Sequence, residues 1–413
     1  VRRYSVGPGS PDKRPDRLAL AGLALLGGRL YLADAGENAV LVIDPATGAV
    51  ERTFDLADPV ALAAGRDRPF ALSGSKLVEL DASKGRLSRE IATLPGKPAG
   101  LAVATDGRFF VSDAESHTVR VFDPAAKQTA AVGLAGGIKS GPYDPRRLDN
   151  PAGLVLSPDG HLWVTESGRW TPKRLAAFDV ASGNVWKEFF GPTSYGASGS
   201  GFDPADASRW FGQGTLFKLD MAAGTARPLA ILGGKEGRSY RYWRQDGRTF
   251  VIACGKATWI QELRSDNTLK PLALVSSAHQ FAYACDWKPP DAFVEAFRRA
   301  YPDKKYTRGT SGQPTHGFGM MWVDRSGDGE LQADEIEFST AADNFGGSGW
   351  GHDFHDLTLR VAGKVDGKTV LVTLKPDGWH PSGAPRYPAL NDAVKAGVPI
   401  DLTHCNVEST TDR

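Results

Sequence analysis

Short runs of alternating hydrophobic and polar residues, separated by glycine and proline turns, fill the first half of the chain. Residues 22–48, 100–124 and 153–183 share one plan: an apolar run, a Gly turn, a second run ending in an acidic residue, a loop, and a third run ending in Asp. An alternation with a period of two residues predicts β-strands rather than helices. Each copy therefore predicts a small antiparallel sheet.

An aspartate that closes the third run of each copy sets the register of the repeat. The marks are Asp44, Asp81, Asp123, Asp179 and Asp220, with Asp266 as a looser sixth. A spacing of about 40 residues, with four short strands per unit, is typical of β-propeller blades. The longest interval, from Asp123 to Asp179, contains insertions at 133–150 and 167–174. The sequence predicts an all-β single domain over residues 1–413, a β-propeller of seven or eight four-stranded blades.

Two of the repeat units carry a recognisable set of short motifs. Residues 98–123 and 151–179 contain PAGL, then DG, then FVSD or WVTE, then VRVFD or LAAFD. These stretches resemble the NHL-repeat family of β-propellers, and the resemblance covers the first half of the chain. It implies a propeller fold with a binding surface. It does not choose between an enzyme and an interaction module, because fold alone does not determine function.

The last part of the chain predicts the remaining blades. Residues 352–413 form an eighth blade in this prediction, with DLTLRVAG and KTVLVTL as its first strands and the N-terminal segment 2–6 as its closing strand. If the last segment is an appendage, seven blades remain. The amphipathic stretch DAFVEAFRRAY at 291–301 predicts one helical insertion within the seventh blade.

Residues 324–335, DRSGDGELQADE, place oxygen donors where an EF-hand-like calcium loop needs them. The predicted metal ligands are Asp324, Ser326, Asp328, Glu330 through its carbonyl, and Glu335. Gly329 stands where the chain must turn sharply. The flanks are strand-like rather than helical, so we expect a structural calcium in a loop between the third and outermost strands of the seventh blade. The alternative is a solvated acidic turn.

Four histidines recur near the predicted mouth of the central channel. His279, His316, His352 and His355 precede strands whose loops share one face of a propeller. Imidazoles that meet there could hold a transition metal as a second cofactor. This arrangement supports an alternative function, a metal-assisted lyase or hydrolase acting on a carbohydrate or ester. The other interpretation is that each is an ordinary turn histidine, and the sequence identifies no catalytic nucleophile, acid or base.

Long loops on the same face contribute arginines beside aromatic rings. With the four histidines, they make nine candidate ligand-binding residues: Arg146, Arg147, Arg169, Trp170, Tyr195, His279, His316, His352 and His355. Rings stack on the apolar faces of sugars, and guanidinium groups pair with carboxylates, so these residues suit a glycan. The alternative is a set of solvated loops that contain arginine.

The charge balance narrows the class of partner. The chain has 49 Lys and Arg against 48 Asp and Glu, which argues against nucleic acid as a partner. No apolar run is long enough for a membrane span. A calcium loop favours a location outside the cytoplasm: secreted, periplasmic or cell surface. The start at Val1 suits either a mature protein after signal removal or a piece of a longer chain. The sequence thus predicts a calcium-stabilised propeller that binds a ligand, glycan or protein partner on its open face.

Overall fold

The computed structural model describes residues 19–81, 85–168, 172–191, 200–212, 214–232, 239–254, 257–278, 291–300, 302, 317–346 and 356–400. The first strands are β1 (Leu20–Leu26), β2 (Arg29–Asp34), β3 (Ala39–Ile43), β4 (Val50–Asp55), β5 (Pro59–Ala64), β6 (Pro69–Ser73), β7 (Lys76–Asp81), β8 (Arg86–Thr93), β9 (Pro98–Val103), β10 (Phe109–Asp113), β11 (Thr118–Phe122), β12 (Gln128–Val132), β13 (Gly141–Pro142), β14 (Pro151–Leu156), β15 (His161–Glu166), β16 (Arg174–Asp179) and β17 (Val185–Phe190).

The remaining elements are β18 (Ser200–Asp203), β19 (Asp206–Gly212), β20 (Thr215–Asp220), β21 (Thr225–Ile231), β22 (Ser239–Gln245), β23 (Arg248–Cys254), β24 (Ala257–Leu263), β25 (Leu269–Ser277), α1 (Asp291–Ala300), β26 (Gly319–Val323), a 3-10 turn (Ala333–Glu335), β27 (Ile336–Ser339), β28 (Asp343–Gly346), β29 (Leu359–Val365), β30 (Lys368–Leu374), α2 (Leu390–Lys395) and β31 (Val398–Pro399). The predicted helical insertion is confirmed by α1.

The described part of the chain forms seven antiparallel sheets in two compact units. The first unit comprises the described residues within 1–139, 144–169 and 173–191 and contains four four-stranded sheets, β1–β4, β5–β8, β9–β12 and β14–β17. Within each sheet the strands pair in chain order. This is the blade of a β-propeller, and the prediction of an all-β propeller fold with several blades is confirmed.

Consecutive blades of the first unit stack face to face through apolar side chains. Phe54 and Val40 of the first blade share a buried cluster with Leu62 and Val78 of the second. Similar clusters join the second blade to the third and the third to the fourth. This packing explains the alternation in the sequence, since the buried positions of one strand face the neighbouring sheets.

A glycine in the PAGL motif allows the innermost strands of the third and fourth blades to approach closely. A Cβ atom at Gly100 would lie 1.9 Å from the carbonyl oxygen of Ala152 and 2.9 Å from Oγ of Ser112. Ser112 donates a hydrogen bond of 2.6 Å to that same carbonyl. The motif therefore reflects a backbone contact that leaves no room for a side chain.

The second unit comprises the described residues within 140–143, 170–172 and 192–413, and its sheets are less regular. Strand β13 adds a fifth strand to β18–β21, while β22–β27 form one six-stranded sheet and β28–β31 a four-stranded one. Buried clusters join the five-stranded sheet to the six-stranded sheet, and the six-stranded sheet to the last one.

Two details of the predicted blade plan are wrong in this unit. Strand β26 was expected as the third strand of a separate seventh blade, yet it pairs with β25 and β27 and extends the sixth sheet. Strands β29 and β30 were expected to open the last blade, yet β28 precedes them from residue 343. Residues 2–6 lie outside the described part, so their role as a closing strand stays a prediction, as does the single-domain organisation.

Candidate functional site

The loop at 324–335 joins two paired strands and is built from buried ends and an exposed middle. It leaves β26 after Val323 and enters β27 at Ile336 through the 3-10 turn. Gly327 and Gly329 take φ values of 89° and 78°. Residues other than glycine rarely adopt these backbone angles, which accounts for the two glycines in a tight loop.

Asp324, the first predicted calcium ligand, is completely buried. Its Oδ1 accepts hydrogen bonds from the backbone amides of Gly327 at 2.8 Å and Gly329 at 3.2 Å. These bonds wrap the loop around the carboxylate. Its Oδ2 is buried and accepts no hydrogen bond within the described residues. A buried, charged oxygen without a hydrogen bond is costly, so this atom is suited to meet a cation.

Glu335, the last predicted ligand, is also buried, with 3% exposure. Its Oε1 accepts a hydrogen bond of 2.6 Å from the Ser326 amide, and its Oε2 accepts one of 3.0 Å from the Trp322 indole. The indole comes from the strand that precedes the loop. Glu335 thereby closes the loop onto its own entry strand.

The middle of the loop is exposed and held by local hydrogen bonds. Asp328 accepts from the Glu330 amide at 2.8 Å and from the side-chain amide of Gln332 at 2.5 Å. Across the described residues, no group of three or more His, Cys, Asp and Glu side chains lies within metal-binding distance. The oxygen types still match those that calcium prefers, and Oδ2 of Asp324 accepts no hydrogen bond, so the calcium ligands stay a prediction.

A lysine that the sequence did not point to also reaches this loop. The Nζ atom of Lys270, on β25, lies 3.3 Å from Oδ2 of Asp324 as an ion pair without hydrogen-bond geometry. Lys270 also donates to the carbonyl oxygen of Ser382 at 3.1 Å, and the Ser382 hydroxyl donates to the carbonyl oxygen of Asp324 at 2.6 Å. No sequence pattern could reveal it, because Lys270 is 54 residues before Asp324.

Of the nine predicted ligand-binding residues, the structure describes Arg146 and Arg147. Arg146 pairs with Asp144 through Nε at 3.1 Å and Nη2 at 2.9 Å. Arg147 donates from Nη1 to the carbonyl oxygens of Ala135 at 3.5 Å and Gly137 at 3.1 Å. Both arginines therefore help to shape the insertion at 133–150.

The other seven predicted ligand-binding residues lie outside the described part of the chain: Arg169, Trp170, Tyr195, His279, His316, His352 and His355. The transition metal and the metal-assisted enzyme therefore stay predictions.

A buried ion-pair network that sequence reasoning missed supports the insertion at 133–150. Arg174 pairs with Glu166 at 2.8 Å and with Glu188 at 2.9 Å, and donates to the carbonyl oxygen of Pro145 at 2.5 Å. Glu166 also accepts from the Asp149 amide at 2.9 Å. Burial raises the pKa of Glu166 to about 7, while Arg174 and the amide oppose that rise. The one signal in the sequence was the acidic residue that ends the second strand of each copy.

Asp113 occupies the equivalent position in the third blade, but its pKa is lowered rather than raised. Burial disfavours its charge, but hydrogen bonds from Ser116, the Lys97 amide and Arg120 outweigh burial and lower the pKa of Asp113 to about 2. Its Oδ2 lies 2.6 Å from Nη2 of Arg120. Asp113 is therefore an ionised group that ties the third blade to the loops at its end.

Comparison with known proteins gives a family match for one repeat. The model of the NHL repeat matches residues 96–122, which cover β9 to β11. A stretch of 139 residues is 27% identical to the chloroplastic protein SUPPRESSOR OF QUENCHING 1 of Arabidopsis thaliana. That stretch covers 33% of this chain and 12% of the length of the plant protein.

Solved structures of low similarity include a hydrazine synthase of Kuenenia stuttgartiensis, at 14% identity and a TM-score of 0.35, over 62% of this chain and 80% of that one. Another is virginiamycin B lyase of Staphylococcus aureus, at 16% identity and a TM-score of 0.33, over 62% of this chain and 85% of the lyase. Similarities this low carry no argument about activity. The consecutive four-stranded blades and the repeat match together show an NHL-like β-propeller.

Proposed function

We propose that this protein is a binding module of the β-propeller type, stabilised by a calcium ion in the loop at 324–335. We also propose that it works in a calcium-rich compartment outside the cytoplasm. The observation that carries the calcium proposal is the buried Oδ2 of Asp324, which accepts no hydrogen bond in the described part of the chain. Asp324 and Glu335 would bind the ion from the two ends of the loop. Calcium would hold β26 and β27 together where the six-stranded sheet ends.

Thermal melting with and without calcium tests this proposal. A ligand that binds only the folded state adds about 2.7 kcal/mol to the free energy of unfolding at a hundredfold excess over its Kd. We expect the melting temperature to rise by several degrees in millimolar calcium and to return in excess chelator.

The matched variant is Glu335→Gln, which keeps the shape of the side chain and removes the charge that calcium needs. Its melting temperature should not respond to calcium. Glu51→Gln serves as the control, since Glu51 is an exposed partner of Arg29 in the first blade. A wild-type melting temperature that ignores calcium, or an unchanged response in Glu335→Gln, contradicts the calcium proposal.

For the ligand, we propose an acidic glycan that contacts the insertion at 133–150. The support is Arg147, which uses Nη1 for its hydrogen bonds to backbone carbonyls and makes no other hydrogen bond among the described residues. Its charge also helps to lower the pKa of Asp144. Its remaining guanidinium edge can pair with a carboxylate in two parallel hydrogen bonds. Arg146 is already paired with Asp144 and should matter less.

Calorimetric titration with an oligogalacturonate and with a neutral maltooligosaccharide tests the choice of ligand. We expect the acidic sugar to bind, Arg147→Ala to weaken its binding at least tenfold, and Arg146→Ala to change it little. Equal binding of both sugars, or of neither, rules out an acidic glycan. In that case the module binds a protein partner or another ligand.

A further inference from the structure

Lys270 places a fixed cation against the oxygen of the loop that accepts no hydrogen bond. Its side chain is 12% exposed, and Asp324 is not exposed at all, so the ion pair is nearly free of water. Lys270 stands on β25 in register with Glu262 of β24. Its backbone is therefore held by a paired strand, and its ammonium group reaches the loop without any rearrangement of the sheet.

The same lysine joins the loop to a second segment. It donates to the carbonyl oxygen of Ser382, whose hydroxyl donates back to the carbonyl oxygen of Asp324. A Cβ atom at Gly327 would lie 3.3 Å from the Cβ of Ser382 and 3.8 Å from Nζ of Lys270. The loop, the lysine and Ser382 thus pack as one unit.

We propose that the ammonium group of Lys270 and a calcium ion compete for Oδ2 of Asp324, so that Lys270 sets the calcium affinity of the loop. This inference rests on the calcium proposal above. With Lys270 in place, the charge of Asp324 is compensated without metal. When calcium binds, the ammonium group leaves Oδ2 and remains near the Ser382 carbonyl and Glu262, whose carboxylate already feels its charge.

The competition has two measurable consequences. Removal of the ammonium group frees Oδ2, so Lys270→Met should bind calcium at least tenfold more tightly than the wild type. Without metal, the same variant leaves a buried carboxylate unpaired, which is destabilising. Its melting temperature should therefore be lower than that of the wild type in chelator, and should rise more on addition of calcium.

Terbium luminescence offers a local readout of binding. Terbium binds oxygen ligands as calcium does, and an indole close to the ion transfers excitation to it. Trp322 is hydrogen-bonded to Glu335, so terbium in the loop should emit when tryptophan is excited. Trp322→Phe should weaken that emission, and what remains comes from Trp259, whose ring centroid lies 6.0 Å from that of Trp322. Calcium titrated against bound terbium then gives the affinity of the loop for each variant.

The variants to compare are wild type, Lys270→Met, Lys270→Arg and Lys76→Met. Lys270→Arg keeps the charge and should bind no more tightly than the wild type. Lys76→Met removes a lysine that pairs with Glu90 in the second blade, so it changes the net charge equally and should leave the affinity unchanged. Should Lys270→Met fail to fold, Lys270→Gln provides a neutral polar replacement.

The outcomes separate this inference from the proposal on which it rests. If wild type and Lys270→Met bind calcium with equal affinity, the competition is refuted while the calcium site stands. If Lys76→Met and Lys270→Met raise the calcium affinity by the same factor, the effect comes from net charge and the inference fails. If terbium and calcium bind to no variant at the loop, both proposals fall.

Discussion

At the scale of single residues, the second strands of three blades end in buried acids. Asp34, Asp113 and Glu166 each end the second strand of a blade and are each buried. Hydrogen-bond donors outweigh burial at Asp113 and lower its pKa, whereas burial outweighs the donors of Glu166 and raises its pKa. The acid in the FVSD and WVTE motifs is thus a structural group whose ionisation depends on its neighbours.

Asp113→Asn should lower the free energy of unfolding by about 2 kcal/mol at neutral pH. The folded pKa of about 2 lies below the usual pKa of an unfolded aspartate, so this stability is present above about pH 4 and is lost as the pH falls towards 2. Chemical denaturation at pH 7 and pH 3 measures the difference. The gap between wild type and variant should narrow at pH 3.

A matched control is Asp106→Asn, because Asp106 is an exposed partner of Arg108. Its effect should stay within about 0.5 kcal/mol, as is usual for surface positions. If Asp113→Asn showed the same gap at both pH values, the ionised carboxylate would not be the source of the stability.

Gly100→Ala should destabilise the protein by about 3 kcal/mol, because its Cβ would overlap the Ala152 carbonyl. The two inner strands would have to separate, and the hydrogen bond from Ser112 would be disturbed. Gly201→Ala is the control, since its Cβ meets no atom within 4 Å. Equal melting temperatures for the two variants would disprove the role assigned to the PAGL glycine.

At the scale of elements, the insertion at 133–150 is anchored by charges buried in the fourth blade. Arg174 on β16 reaches the Pro145 carbonyl, and Glu166 on β15 reaches the Asp149 amide. The insertion is therefore held at two points by side chains of regular strands. This anchoring fixes the backbone that carries Arg146 and Arg147.

Glu166→Gln should remove a pH dependence of stability between about pH 5 and pH 8. The folded pKa of about 7 is above the usual value for an unfolded glutamate, so wild-type stability is highest at low pH in this window and falls as the pH rises through 7. The loss should reach up to about 3 kcal/mol relative to the glutamine variant. Denaturation of both proteins across this range measures it.

Hydrogen exchange locates the effect in the chain. Amides of the insertion, that of Asp149 among them, should exchange faster above pH 7 in the wild type and show a smaller change in Glu166→Gln. Parallel pH profiles for the two proteins would mean that Arg174 keeps Glu166 ionised throughout, and that the burial of this carboxyl has no titrating consequence.

At the scale of the whole molecule, the period of the sequence predicted most of the blade plan because local pairing determines it. Asp81, Asp179 and Asp220 end the third strands of their blades, and Asp44 and Asp123 directly follow theirs. Short turns force neighbouring segments to pair, so alternation and turn residues suffice to predict such sheets.

The parts that the sequence did not predict depend on long-range contacts. The segment Trp322, Val323 and Asp324 has the pattern of a third strand. In the structure, β26 instead pairs with β25 and belongs to the six-stranded sheet. Lys270 and Ser382 contact the loop from distant positions in the sequence, so no local sequence pattern predicts these contacts. The donor spacing of the loop predicted a calcium site, but not the lysine beside it.

The central claim is that the loop at 324–335 binds one calcium ion, and native mass spectrometry tests it most directly. Wild-type protein in calcium should carry one specifically bound ion per chain, and Glu335→Gln should carry none, while Glu51→Gln should match the wild type. The ion should be lost in chelator without loss of the folded charge-state distribution, because Lys270 still compensates Asp324. The same calcium content in wild type and Glu335→Gln, or no bound calcium in the wild type, would contradict the account.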